Sequence, residues 1–181
     1  MKYYTLDLCG RKEQLPVLGL PSGEEIAFFN LHGNVTLTEF CAEKLAERLR
    51  GESFDVIITA ESKGLQLAHC LARNLGMSFY AVARKSKKLY MQDGISTEGS
   101  SITTAGAQTL YLSAHDMALL NGKRVAVVDD VISTGGSLSA LETLVNLSGG
   151  TVAVKACVLA EGAAKDRTDI VFLATIPINP E

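Results

Sequence analysis

The sequence predicts an α/β fold with a mostly parallel sheet, and two observations lead to that prediction. From residue 54 onward, short apolar runs alternate with stretches whose apolar residues recur at helical spacing. The runs at 55–59 and 124–129 contain consecutive apolar residues, as expected of parallel strands that are buried on both faces. Ligands of such sheets bind at the carboxyl ends of the strands, so the loops after residues 59, 83 and 129 are the places to look for chemistry.

Composition agrees with one globular domain. The 181 residues are 47% hydrophobic and 20% charged, which is enough apolar material for a core of its own. A net charge of −3 argues against a general nucleic-acid-binding face. The four cysteines are dispersed and form no CxxC pair, which favours reduced thiols in the cytoplasm over a zinc site or disulfides. No run of 18 apolar residues and no signal-peptide core is present, so neither a membrane span nor export is expected.

The individual elements follow from local signals. Residues 1–35 predict short strands joined by turns, one of them at 21–24. Thr36 and Glu39 form a capping-box pattern that starts a helix, and Gly51 ends it. Residues 84–108 are polar, lack a clear period and predict a loop. Further helices are predicted at 64–75, 113–120 and 135–148, and strands at 55–59, 78–83, 109–113, 124–129, 151–159 and 170–175.

The most specific segment is the one that follows the predicted strand at 124–129. Two adjacent carboxylates, Asp129 and Asp130, precede the turn Ser133-Thr134-Gly135-Gly136-Ser137, which opens a helix. Backbone N–H groups at a helix start, glycines that allow close approach and several hydroxyls are the chemistry of a phosphate cradle. The acids suit ribose hydroxyls or Mg²⁺, so the segment as a whole suits a ribose 5-phosphate. The competing interpretation is a plain helix cap, but two consecutive acids at the end of a buried strand are costly without partners.

This segment resembles the signature of the type I phosphoribosyltransferases, which use 5-phosphoribosyl-1-pyrophosphate (PRPP). Two more segments agree with the purine, adenine-type branch. Glu61-Ser62-Lys63-Gly64 is similar to the family's pyrophosphate loop, although an ordinary helix start would look much the same. Arg84, Lys85 and Lys88 match cations that follow the next strand, in a run that could otherwise be a solvated surface. Glu161 matches a glutamate of adenine-type members.

The resemblance implies a fold, a reaction and a set of roles. The fold is a single domain over residues 1–181, with a mostly parallel five-stranded sheet flanked by helices, a small hood at 1–35 and a flexible lid at 84–110. The reaction is Mg²⁺-dependent transfer of the phosphoribosyl group from PRPP to a nucleobase, with purine as the first expectation. Orotate, xanthine or a non-catalytic PRPP sensor remain as alternatives, because residues 102–107 lack the lid glutamate of adenine-type members and Glu98 is the nearest carboxylate. A homodimer without nucleic acid or membrane partners is expected.

The implied site residues fall into four groups. The catalytic acids, which also bind the metal through water or PRPP, are Asp129 and Asp130. The 5-phosphate cradle is Ser133, Thr134, Gly135, Gly136 and Ser137. The pyrophosphate ligands are Glu61, Ser62, Lys63, Gly64, Arg84, Lys85 and Lys88. The candidate base-binding residues are Phe28, Phe29, Val131 and Ile132, with either phenylalanine alternatively belonging to the hood core.

Overall fold

A computed structural model describes residues 2–101 and 104–181, and for residues 98–108 it describes no side chains. The predicted lid positions therefore lie in part outside the description, including residues 102 and 103 and the Glu98 side chain. In chain order the elements are β1 (Tyr3–Leu8), β2 (Arg11–Gly19), β3 (Glu25–Ala27), α1 (Val35–Leu49), β4 (Val56–Ala60), α2 (Leu65–Asn74), β5 (Ala81–Ala83), β6 (Ile95–Ser101), β7 (Thr104–Leu112), α3 (Ala114–Leu120), β8 (Arg124–Ile132), α4 (Gly136–Leu147), β9 (Thr151–Glu161), a 3-10 helix (Gly162–Asp166) and β10 (Val171–Ile176).

The central sheet has five strands in the order β10-β9-β8-β4-β5, and every neighbouring pair is parallel. This confirms the predicted α/β architecture. The chain leaves β4 toward β5 on one side and later returns to place β8 on the other side of β4. The strand order therefore switches between β4 and β8, which is where a crevice opens at the carboxyl ends of the strands.

Helices cover both faces of the central sheet, which explains the consecutive apolar residues of its strands. Residues 125–128 of β8 are all fully buried. Ala126 and Val128 pack in the cluster that contains α1 and α2, whereas Val125 and Val127 pack in the cluster that contains α3 and α4. A strand with an apolar layer on each side has no solvent-facing position, so its sequence does not alternate between apolar and polar residues.

The N-terminal residues form a separate antiparallel sheet of three strands, β1-β2-β3. Leu6, Leu8 and Leu15 bury their side chains in the same apolar cluster as α1, so this small sheet shares a core with the larger one. The link continues to the end of the chain, where Glu25 N donates to Asn179 Oδ1 at 2.7 Å. Residues 26–29 are thereby held close to the carboxyl end of the central sheet.

Two local predictions were wrong. Helix α1 is capped by Asn34, whose Oδ1 accepts from Leu37 N at 3.1 Å, and not by the capping box of Thr36 and Glu39. The Glu39 carboxylate instead pairs with Arg73 of α2. The stretch 84–108 is not wholly loop, because β6 and β7 pair as an antiparallel hairpin. Serine, threonine and glycine give no apolar alternation, so a hairpin whose pairing is carried by the backbone leaves little pattern in the sequence.

The strand predicted at 78–83 is confirmed as β5, but it is shorter than predicted and covers only Ala81–Ala83. No helix within the described residues is both long enough and apolar enough to cross a membrane.

Candidate active site

A cavity with a volume of about 140 Å³ lies at the switch between β4 and β8. Three segments line it: residues 60–63 from the last residue of β4 into the next loop, residues 129–138 from the end of β8 into α4, and residues 26–29 from β3 into the segment that follows it. Lys85, Leu110, Glu161 and Ile176 complete its wall. The cavity thus brings together the sequence segments that were predicted to act jointly, although they lie far apart in the chain.

The two acids sit at the floor of this cavity. They lie within β8, which continues to Ile132 and so extends past the predicted end of the strand. Asp130 is 4% exposed, and its Oδ2 lies 2.9 Å from the ammonium of Lys63. Asp130 N also donates to Asp129 Oδ1 at 2.9 Å. Burial and the adjacent Asp130 charge raise the pKa of Asp129 well above its usual value, because two buried carboxylates side by side resist ionising together.

The loop between β8 and α4 has the geometry of an anion cradle. Gly135 caps α4 with a φ of +83°, a left-handed conformation that favours glycine. Helix α4 starts at Gly136, and Ser139 N donates to Gly135 O, so the N–H groups of residues 136–138 have no partner within the helix. Residues 133–137 all line the cavity. Together the free N–H groups, the hydroxyls of Ser133, Thr134 and Ser137, and the positive end of the helix dipole suit a phosphate.

The loop after β4 presents Ser62 and Lys63 to the cavity, whereas Gly64, also predicted to bind pyrophosphate, is not among the described lining residues. The peptide bond between Glu61 and Ser62 is cis. A Cβ atom added to Gly64 would lie 2.2 Å from the buried Thr59 Oγ1 and 3.4 Å from Asp129 Oδ1. Glycine is therefore required here by lack of space and not by backbone conformation, since its φ is −80°. The loop is pressed directly against the acid pair.

The predicted pyrophosphate residues do not all lie in the cavity. Glu61 and Lys85 line it, but Arg84 and Lys88 are not among its described lining residues. The Glu61 carboxylate links the loop after β4 to the residues after β5: its Oε2 lies 2.7 Å from Arg84 Nε, and its Oε1 accepts a hydrogen bond from Lys85 N. Arg84, which follows β5, also forms an isolated antiparallel backbone bridge with Tyr111.

The four candidate base residues all line the cavity but differ in burial. Phe29 and Ile132 are each 2% exposed and belong mainly to the core. Phe28 and Val131 are half-buried, and the Lys63 ammonium lies 5.6 Å from the centre of the Phe28 ring. The aromatic face of Phe28 is therefore the accessible apolar surface among the two phenylalanines. Lys63 joins this surface to the acid pair.

Sequence reasoning missed several residues of the site. Ile26, Leu110 and Ile176 extend its apolar wall, but each looks like an ordinary strand residue in the sequence. Thr59 has a buried hydroxyl with no hydrogen-bond partner in the described structure. Glu161 is 8% exposed, and burial raises its pKa against the opposing effects of the Ser133 hydroxyl and the Lys63 charge. Only Glu161 carried a signal in the sequence, through the resemblance.

Comparisons with known proteins agree with this geometry. The protein-family model for the phosphoribosyl transferase domain matches residues 33–177. The chain is 36% identical over 114 residues to an adenine phosphoribosyltransferase of Brachyspira hyodysenteriae, covering 63% of this chain and 64% of that one. It is 32% identical over 124 residues to that of Petrotoga mobilis, covering 68% of each.

A solved structure gives the same result. The crystal structure of adenine phosphoribosyltransferase from Thermoanaerobacter pseudethanolicus superposes with a TM-score of 0.73 at 26% identity, over 89% of this chain and 95% of that one. The resemblance drawn from the acid pair and the loop behind it is thereby confirmed. Since the family model spans most of the chain, this protein belongs to the phosphoribosyl transferase domain family.

Proposed function

We propose that this protein transfers the 5-phosphoribosyl group from PRPP to adenine, giving adenosine 5-monophosphate and pyrophosphate. The observation that carries the proposal is that an acid pair, a helix-opening loop of free N–H groups and the Lys63 ammonium line one cavity. PRPP carries a phosphate, a ribose diol and a diphosphate, and the cavity offers a group for each. The adenine-specific relatives favour adenine as the base.

The 5-phosphate is assigned to residues 133–137 and the ribose to the acids. The N–H groups at the start of α4 hold the phosphate, and Gly135 permits the tight turn that exposes them. Asp129 and Asp130 accept hydrogen bonds from the ribose 2′ and 3′ hydroxyls. Those donors favour the charged carboxylates and so oppose the burial that raises the pKa of Asp129.

The diphosphate is assigned to the cationic side of the cavity, where Ser62, Lys63 and Lys85 lie. Glu61 serves there as the anchor of Arg84 and of the Lys85 backbone, which keeps the loop after β5 in place. Lys63 contacts Asp130 without substrate, so its ammonium exchanges a carboxylate for diphosphate oxygens when PRPP binds. This exchange preserves a charge-assisted contact in both states.

A magnesium ion fits the donor set of the acid pair. Oxygen ligands are what Mg²⁺ prefers, and Asp130 Oδ2 is buried with no hydrogen-bond partner among the described residues, the Lys63 ion pair aside. Asp129 and Asp130 would hold the ion, directly or through water, and it would supply positive charge toward the diphosphate oxygens. The residues themselves place the ribose C1 atom between the leaving diphosphate and the base.

The base is assigned to the wall formed by Phe28, Val131 and the apolar residues around them. Cleavage of the bond between C1 and the diphosphate oxygen releases pyrophosphate and leaves a sugar with cationic character. A ring nitrogen of adenine then bonds to C1, and the proton that it loses is taken up by the departing pyrophosphate. No protein nucleophile is required, and the task of the site is to orient the reactants and neutralise charge. Leu110 of β7 lines the cavity, so the hairpin of β6 and β7, as the proposed lid within residues 84–110, would exclude water from the reacting sugar. Residues 1–35 are the proposed hood.

The proposal includes a homodimer in the cytoplasm. Leu89 is 94% exposed and Tyr90 is 69% exposed, next to the cations of the loop after β5. Large apolar side chains this exposed favour a second copy of the chain as the cover for this loop. Light scattering after size exclusion measures the oligomer directly, and a Leu89→Ser variant is expected to shift it toward monomer.

The test of the function is a pair of measurements. Pyrophosphate release from Mg-PRPP is measured with adenine, hypoxanthine, guanine, xanthine and orotate, and ribose 5-phosphate binding is measured by calorimetry. Asp130→Asn and Thr134→Ala are each expected to reduce turnover or PRPP affinity by about tenfold or more, as for loss of a charge-assisted contact. Lys44→Ala, on an exposed part of α1, is the control. Binding without release for every base would instead indicate a PRPP sensor, and unchanged binding in both variants would contradict the site.

A further inference from the structure

Arg167 lies against the back of the predicted phosphate loop. A Cβ atom added to Gly135 would stand 2.6 Å from its Nη1. The guanidinium is not among the described lining residues of the cavity, so it touches the loop from the side away from the site. This contact joins the segment after β9 to the residue that caps α4.

The guanidinium is held in place by a chain of ion pairs. Its Nε and Nη2 atoms lie 2.9 Å and 2.7 Å from the two oxygens of Asp169, in the bidentate geometry that fixes a guanidinium plane. Asp169 Oδ2 is also 2.6 Å from Lys155 Nζ, which is 2.7 Å from Glu142 Oε1. Hydrogen bonds to Arg167 and Lys155 hold the pKa of Asp169 far below its usual value, so the pairs persist at neutral pH.

Four residues form this chain of ion pairs, here called the Arg167 network, and one of them lies on α4: Glu142, Lys155, Arg167 and Asp169. Glu142 lies on α4, Lys155 on β9, and Arg167 and Asp169 between β9 and β10. The network therefore fastens the body of α4 to the sheet and contacts Gly135, the residue that caps α4. The far end of an arginine is ordinarily mobile, but here the side chain is 30% exposed and engaged by both oxygens of one carboxylate.

We propose that Arg167 is a positioning residue for the 5-phosphate, acting through Gly135 to hold the loop in the conformation that directs its N–H groups at the ligand. This rests on the proposed function, in which residues 133–137 bind that phosphate. A loop made of serine, threonine and two glycines has little stiffness of its own, and ordering it on binding would weaken the complex. The Arg167 network keeps the loop ordered before the ligand arrives.

The experiment measures ribose 5-phosphate binding by calorimetry and PRPP kinetics with adenine for Arg167→Met, Asp169→Asn and the double variant. Each single variant is expected to weaken ribose 5-phosphate binding by about fivefold, the scale of a half-exposed ion pair. The KM for PRPP is expected to rise by the same factor while kcat stays unchanged, because the acids and Lys63 are untouched. The double variant is expected to lose no more than the larger single effect, since both break one contact.

The control is Lys44→Met, which breaks an ion pair of similar exposure with Glu47 on α1. Urea unfolding of all variants separates loss of loop order from loss of the fold. The proposal is overturned if Arg167→Met binds ribose 5-phosphate like the wild type, or if its kcat falls by as large a factor as its KM rises. It is also overturned if the losses of ribose 5-phosphate affinity in the two single variants add in the double variant. A wild-type protein that binds no ribose 5-phosphate would instead refute the proposed function, and that result is visible before any variant is compared.

Discussion

The close packing of the loop after β4 makes a sharp prediction about Gly64→Ala. The backbone at Gly64 has a φ of −80° and accepts alanine, so the only obstacle is the Thr59 Oγ1 atom 2.2 Å from the new Cβ. Thr59 belongs to the buried strand β4 and is 0% exposed, so it has little room to withdraw. Overpacking of this kind costs about 1–3 kcal/mol in free energy of unfolding.

A double-mutant cycle isolates this clash. Thr59→Ala alone removes two buried atoms at a cost of about 1 kcal/mol, and its hydroxyl has no described hydrogen-bond partner to lose. In that background Gly64→Ala is expected to cost at least about 1 kcal/mol less than in the wild type. Thr59→Val is the matched control, because it keeps an atom in the position of the hydroxyl and leaves the clash in place.

The assay is urea unfolding of the six proteins, followed by the KM for PRPP. Because Ser62 and Lys63 precede Gly64 on the same loop, the KM is expected to rise in Gly64→Ala and to recover in the Thr59→Ala background. An equal cost of Gly64→Ala in all three backgrounds would refute the steric argument. Recovery of stability without recovery of KM would show that the loop does not serve the diphosphate.

Three further predictions concern caps and charge. Asn34→Ala is expected to lower the free energy of unfolding by about 1 kcal/mol, because it removes the hydrogen bond to Leu37 N, whereas Thr36→Ala is expected to lower it little. Urea unfolding measures both, and equal losses would support the capping box instead. The raised pKa of Asp129 makes wild-type stability fall as the pH rises from about 4 through the folded-state pKa. Asp129→Asn therefore unfolds at higher urea than the wild type at pH 8 but gains less at pH 5, and a pH-independent difference would contradict this. Lys63→Met removes the ammonium whose charge lowers the pKa of Asp129, so that pKa is expected to rise further. The same variant is expected to bind PRPP about tenfold more weakly. Lys87→Met, at an exposed lysine, is the control, and an equal loss of PRPP binding there would indicate a general charge effect.

Features that are encoded locally could be predicted from the amino-acid sequence. Continuous apolar strands separated by helical periodicity indicate a parallel sheet, because a strand covered on both faces needs no polar positions. The acid pair and the loop at 133–137 are contiguous, so their chemistry is visible in one short segment. The charge of Lys63 and its place at a helix start were visible in the same way.

Which distant residues contact each other depends on the three-dimensional fold. Arg167 contacts Gly135 and Lys63 reaches Asp130 because the strand order places β4 and β9 on either side of β8, and no local pattern encodes that order. The same packing separates Phe28 from its buried neighbour Phe29, and it turns Glu61 toward Arg84. Asn34 replaced the predicted cap because capping depends on backbone angles at the helix start, which the whole fold sets. Residue type predicts the chemistry that a segment can offer, but chain topology determines the partner to which it is offered.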